Sequence, residues 1–151
     1  MSQTTTQISG TLLQRTILLA DDDQDIRSLL TLRCSKIEGF DCAIVAVEDA
    51  LTALSCADMS PPDLIMMDVE MPGSGLAACE MLVHDERVSH IPVIILTGRK
   101  DSATIQRCRS LGAHYVHKSP DAWSNLEPII RKELSNKTEK HTVETRQFCA
   151  W

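Results

Sequence analysis

Long apolar runs are missing from this chain. None approaches the roughly 18 residues that a membrane-spanning helix needs, so a helical membrane protein is excluded and no membrane partner is expected. The start, MSQTTTQISG, is polar and lacks the charged-then-apolar order of a secretory signal, which makes a cytoplasmic protein the expectation. Positive charge is also scarce: 15 Lys and Arg against 21 Asp and Glu give a formal net charge of -6 and a pI near 5.3. That balance argues against general nucleic-acid binding, and no direct DNA contact is expected. The six cysteines, Cys34, Cys42, Cys56, Cys79, Cys108 and Cys149, include no C-x-x-C pair. Most sit in apolar segments as small hydrophobes, as in a reducing compartment. There is no repeat, no low-complexity tract and no linker to a second domain.

What is present is enough for one core: 151 residues, of which 43% are apolar. Short apolar runs alternate with stretches of helical period, the signature of repeated strand-helix units around a parallel sheet. The expected strands are Thr16 to Ala20, Cys42 to Val47, Leu64 to Met67, Val93 to Leu96 and His114 to Val116. Apolar on both faces, they belong in a buried sheet. Between them, helical stripes are expected at Ile26, Leu29, Leu30 and Ile37, at Ala50, Leu51 and Leu54, at Leu76, Cys79 and Val83, and at Ile105, Cys108 and Leu111. A last helix is expected to start at Ser124, where Ser124-Asn125-Leu126-Glu127 fits a capping box, and to turn Ile129, Ile130 and Leu134 inward. Residues 1–13 read as a polar lead-in, 14–134 as the domain, and 135–151 as a tail in which Phe148 and Trp151 are the docking candidates.

In an open parallel sheet, ligands bind beyond the carboxyl ends of the strands. Those ends carry Asp21-Asp22-Asp23, then Asp68, then Thr97-Gly98, then His117-Lys118. Two carboxylates about 5 Å apart repel by roughly 3 kcal/mol at an effective dielectric of about 20, so such a rim calls for a cation. Oxygen-only ligands favour Mg2+. Acid, metal, ammonium and hydroxyl around one point are the parts that phosphoryl transfer requires. Asp23 reads as the cap of the first helix. His114 and His117, three apart on a strand, face opposite ways and make no metal pair. Arg99, Lys100, Arg107 and Arg109 read as a solvated helix face, with docking of an acidic partner as the rival.

The residues from about 14 to 134 resemble the receiver domain of bacterial two-component response regulators. "ILLADDDQDIR" is similar to the acidic motif of the first strand, "PDLIMMDVEMPGSGL" to the phosphoacceptor strand and loop, "IPVIILTG" to strand four, and "LGAHYVHKSP" to strand five with its lysine. The resemblance implies an α/β, flavodoxin-like, doubly wound five-stranded parallel sheet of order 2-1-3-4-5 with helices on both faces. It implies Asp68 as phosphoacceptor, Asp21, Asp22, Asp68 and the backbone carbonyl of Glu70 as Mg2+ ligands, and Thr97 and Lys118 on the phosphoryl group. Tyr115 and Thr97 would be the switch, acting on the face of helix four, strand five and helix five. Partners would be a histidine kinase or histidine phosphotransfer protein and a downstream protein target. The expectation is a single-domain switch and no turnover enzyme. The alternatives are a phosphorylation-independent binding or dimerisation module and a Mg2+-dependent aspartyl-phosphate phosphatase. Three departures stand out: a loop after Asp68 one residue short, Ser119 inserted between Lys118 and Pro120, and a shortened run from Val47 to Leu51.

Overall fold

The structure is a computed structural model and describes residues 12–148, with the side chains of 137–148 outside the description. Five strands alternate with five helices. They are β1 (Leu13–Ala20), α1 (Gln24–Ser35), β2 (Phe40–Val47), α2 (Ala50–Met59), β3 (Leu64–Met67), α3 (Gly75–His84), β4 (Val93–Thr97), α4 (Ser102–Ser110), β5 (His114–His117) and α5 (Ala122–Phe148). All pairings are parallel, and the order is β2-β1-β3-β4-β5. The expected fold class is therefore the observed one. Among the described residues no helix is long and apolar enough to cross a membrane.

Two cores lie on the two faces of the sheet, and strand alternation assigns residues to them. Leu18, Ala20, Ile65, Met67 and Ile95 face α2, α3 and α4. Ile17, Leu19, Leu64, Met66, Ile94 and Leu96 face α1 and α5, where Leu126, Ile130 and Leu134 are fully buried. β3 and β4 are buried along their whole length, because helices cover both their sides.

Several elements differ from the sequence reading. β1 begins at Leu13 and β2 at Phe40, because the parallel ladder carries on through polar residues, Gln14, Arg15 and Asp41, that interrupt the apolar runs. Leu29 is 47% exposed; α1 buries Leu30, as expected, together with Cys34. Leu51 is 74% exposed: α2 lies on the sheet through Ala50, Ala53 and Ala57. The last helix starts at Ala122, ahead of the capping box, because Ala122 and Trp123 pack against the α1/α5 core. Pro128 then lies inside α5, and the helix continues past Leu134 to Phe148. Docking by Phe148 and Trp151 concerns side chains outside the description. The Ser119–Pro120 bond is trans.

Candidate functional site

The rim at the carboxyl ends of β1, β3, β4 and β5 is built by strand register. Ala20 pairs with Met67, so Asp21 and Asp68 leave adjacent strands side by side, with the Asp68 amide donating to the Ala20 carbonyl at 3.0 Å. Thr97 pairs with His117, and the Lys118 amide donates to the Thr97 carbonyl at 2.7 Å. Carboxylate oxygens of Asp21, Asp22 and Asp68 lie within 4.8 Å of one another. Asp21 and Asp68 are buried, whereas Asp22 is exposed.

Lys118 reaches into this group. Its ammonium lies 2.6 Å from Asp21 Oδ2 and 2.8 Å from Asp68 Oδ2. Burial opposes its charge, but the hydrogen bonds to the two carboxylates outweigh burial and raise its pKa above the ordinary lysine value. Burial raises the Asp21 carboxyl above the usual range, with Lys118 and the Asp23 amide pulling it back down. Asp21 Oδ1 accepts from the Asp23 amide at 2.9 Å, and Asp68 Oδ1 accepts from the Glu70 amide at 3.2 Å. Each acid is thus aimed by a main-chain donor on one oxygen while Lys118 holds the other.

The donor set fits a hard divalent cation. It is made of oxygen atoms only, it carries more negative charge than Lys118 neutralises, and Asp22 is open to solvent on one side. Asp22 also lines a cleft of about 440 Å³ with Glu48, Asp49, Leu51, Pro72 and Gly73.

Thr97 is fully buried at the end of β4, and its hydroxyl oxygen accepts from the Arg99 amide at 3.3 Å. Tyr115 is half-buried and donates its hydroxyl to the Arg99 carbonyl at 2.5 Å, tying β5 to the loop after Thr97. The Glu70 side chain leans toward Arg99 at 3.9 Å, while Arg99 also pairs with Asp101 at 3.2 Å. Asp23 caps α1, accepting from the amides of Asp25 at 2.9 Å and Ile26 at 3.3 Å, as the sequence suggests. His114 pairs with Glu133 of α5 at 2.8 Å, on the other side of β5 from Tyr115.

Sequence reasoning passed over two contributors. Arg27 donates to the Asp21 carbonyl at 2.6 Å, clamping α1 to the acidic turn. Gly75 opens α3 so close to the chain leaving β3 that a Cβ there would stand 1.8 Å from the Asp68 carbonyl oxygen. The Pro-Gly-Ser-Gly run was the available signal. Gly73 takes a positive φ of 90°, and Ser74, at φ 61°, caps α3 by accepting from the Ala77 amide. The short loop thereby folds tightly under Asp68, with Gly75 donating its amide to the Val69 carbonyl at 3.2 Å.

Comparison with known proteins converges on one family. The family model described as response regulator receiver domain matches residues 17–126. The DNA-binding response regulator MtrA of Mycobacterium tuberculosis is 34% identical over 123 residues, covering 81% of this chain and 51% of that protein. The probable transcriptional regulator ycf27 of Cyanophora paradoxa is 34% identical over 133 residues, covering 87% and 53%. The chain thus spans about half the length of these relatives. Among solved structures, the signal receiver domain of a histidine kinase from Syntrophus aciditrophicus superposes with a TM-score of 0.70 at 27% identity, covering 81% of this chain and 91% of that one. The receiver domain of a DNA-binding response regulator from Colwellia psychrerythraea gives 0.73 at 24% identity, covering 80% and 98%, and shows the same fold.

Proposed function

Because the chain belongs to the response regulator receiver domain family, we propose that Asp68 accepts a phosphoryl group from a histidine kinase or a histidine phosphotransfer protein. The observation that carries this reading is the meeting of Asp21, Asp22 and Asp68 on one rim, with Lys118 bonded to two of them. Mg2+ is the cation that suits the oxygen donors, and Asp21, Asp22, Asp68 and the Glu70 carbonyl would hold it. When bound, it neutralises charge on the transferring phosphoryl oxygens.

The chain's own residues do the rest. A carboxylate oxygen of Asp68 attacks the phosphorus of phosphohistidine in line, forming an O–P bond as the N–P bond breaks. The N–P electron pair returns to the imidazole. The acyl phosphate places about -1.5 to -2 charges on the rim. Lys118 leaves the Asp68 carboxylate for a phosphoryl oxygen, and the Thr97 hydroxyl donates to another. Reorientation of Thr97 draws on the loop whose Arg99 carbonyl holds Tyr115, so the ring turns inward. The surface of α4, β5 and α5 then presents a changed face to a downstream protein. Going from mostly inactive to mostly active asks for roughly 5 kcal/mol of preference between the two states, which one or two new charge-assisted contacts largely supply. Glu70 and Arg99, facing each other at 3.9 Å over the rim, set how readily water reaches the phosphoryl group.

Beryllofluoride with Mg2+, a mimic of the bound phosphoryl group, tests the proposal. Backbone NMR resonances of Thr97, Tyr115 and Lys118 are expected to shift in the wild type and to stay fixed in Asp68→Asn. A wild-type spectrum that does not respond would point to a receiver fold working without phosphate.

A further inference from the structure

Two of the three rim carboxylates are aimed by bonds of their own: Asp21 by the Asp23 amide and Lys118, and Asp68 by the Glu70 amide and Lys118. Asp22 is different. It is exposed, and among the described residues no donor holds its carboxylate, so its main chain alone sets where the acid points.

That main chain is held on both sides. The Asp21 carbonyl, in the peptide unit before the Asp22 α-carbon, accepts from Arg27 Nη1 at 2.6 Å. The Asp23 amide, in the peptide unit after it, donates to Asp21 Oδ1 at 2.9 Å. A peptide unit is planar, so a bond to its carbonyl or its amide restrains the whole unit and the α-carbons at its ends. Asp22 is left with its side-chain torsions. Half-buried Arg27 reaches the carbonyl from a firm base, because Ile26 and Leu30 seat α1 against the sheet.

The bond goes to a neutral partner. Asp21, Asp22, Asp23 and Asp25 all lie within six residues of Arg27, yet among the described residues its guanidinium forms no ion pair and takes a main-chain carbonyl. An ion pair with Asp22 would compete with a metal for that carboxylate. A bond to the carbonyl directs the acid and leaves its charge available.

We infer, on the reading of the rim as a Mg2+ site, that Arg27 is a positioning residue for the metal, acting through the peptide unit between Asp21 and Asp22 to direct the Asp22 carboxylate. Losing Arg27 has two effects of opposite sign. Removing a positive charge near a cation's site tightens binding. Releasing an outer partner of the metal ligands weakens it, typically by roughly 10–100-fold. The direction of the change therefore separates positioning from charge.

A MgCl2 titration of the full chain, followed by the NMR amide resonances of Asp22 and Asp68, tests this. Arg27→Met is expected to keep a native circular dichroism spectrum and to bind Mg2+ about tenfold more weakly than the wild type. Arg27→Lys, which keeps a donor on a similar stem, is expected to regain most of the affinity. Leu30→Val, which loosens α1 through its buried face and changes no charge, is expected to bind as the wild type does. Arg27→Gln, too short to reach the carbonyl, provides the same test if Arg27→Met fails to fold. Equal or tighter binding in Arg27→Met or Arg27→Gln would overturn the inference and leave the reading of the rim intact. An equal loss in Leu30→Val would also overturn it, since loosening of the helix would then suffice. A wild type whose resonances ignore Mg2+ would overturn the inference and the metal site together.

Discussion

Replacing Lys118 by Met keeps most of the stem's bulk and removes the cation that Asp21 and Asp68 share. In the wild type the ammonium sits 2.6 Å and 2.8 Å from these acids, which are 2% and 6% exposed. Without it, carboxylates whose oxygens lie within 4.8 Å of each other confront one another, a repulsion of roughly 3 kcal/mol at an effective dielectric of about 20. The lost charge-assisted bonds add to the cost. Water entering beside a side chain already 22% exposed screens part of it. The net loss is about 2–3 kcal/mol, a fall of about 1–2 M in the urea midpoint for a small domain.

The pH dependence has a definite sign. Burial already holds the Asp21 carboxyl above its ordinary 3.8, and the Lys118 bond acts against burial, so the substitution raises that pKa further. A carboxyl whose folded pKa exceeds its unfolded value binds its proton more tightly in the folded state. Its penalty is full at pH above the folded pKa and is relieved as pH falls toward 3.8. The deficit of Lys118→Met against wild type is therefore largest near neutral pH in chelator and shrinks with acid. Added Mg2+ also narrows it. Urea titrations across this pH range supply the measurement. A neutral-pH deficit below about 0.5 kcal/mol, the scatter of an ordinary surface change, would refute the reasoning, and so would a deficit that ignores acid.

Two further outcomes concern the elements around the rim. Gly75→Ala drives a Cβ against the Asp68 carbonyl oxygen at 1.8 Å and its carbon at 2.7 Å, both main-chain atoms that cannot rotate away. A stability loss of about 3 kcal/mol in denaturant titration is expected, together with weakened beryllofluoride binding. Asp23→Ala removes the cap of α1 and costs about 1 kcal/mol, leaving the beryllofluoride response as in the wild type because the Asp23 side chain reaches only helix amides and the main-chain bond from its amide to Asp21 is kept.

The rim was legible in the sequence because each of its residues stands at the end of an apolar run. Strand ends are what a parallel sheet gathers, so Asp21, Asp22, Asp68, Thr97 and Lys118 could be placed together before any coordinates. Side-chain partners were not legible. That Lys118 bonds Asp21 as well as Asp68 depends on the path of the turn through Ser119 and Pro120. Helix faces were read less well where small residues do the packing. In α2 the eye goes to Leu51 and Leu54, yet alanines bring the helix close to the sheet and leave Leu51 outside. At α5 the capping box at Ser124 is a sound local pattern, overridden by the burial gained from Ala122 and Trp123. The starts of β1 and β2 were missed because polar residues, Gln14 and Arg15 in one and Asp41 in the other, interrupt the apolar run while the main-chain ladder continues through them.

The central claim, that this rim serves Asp68 as a phosphoryl acceptor, is tested most directly by incubating the chain with phosphoramidate and Mg2+ and mapping the product by mass spectrometry. One phosphoryl group on Asp68 in the wild type, lost in Asp68→Asn and in chelator, is the result the account predicts. Equal labelling of Asp68→Asn, or label on any other residue in the wild type, would contradict it.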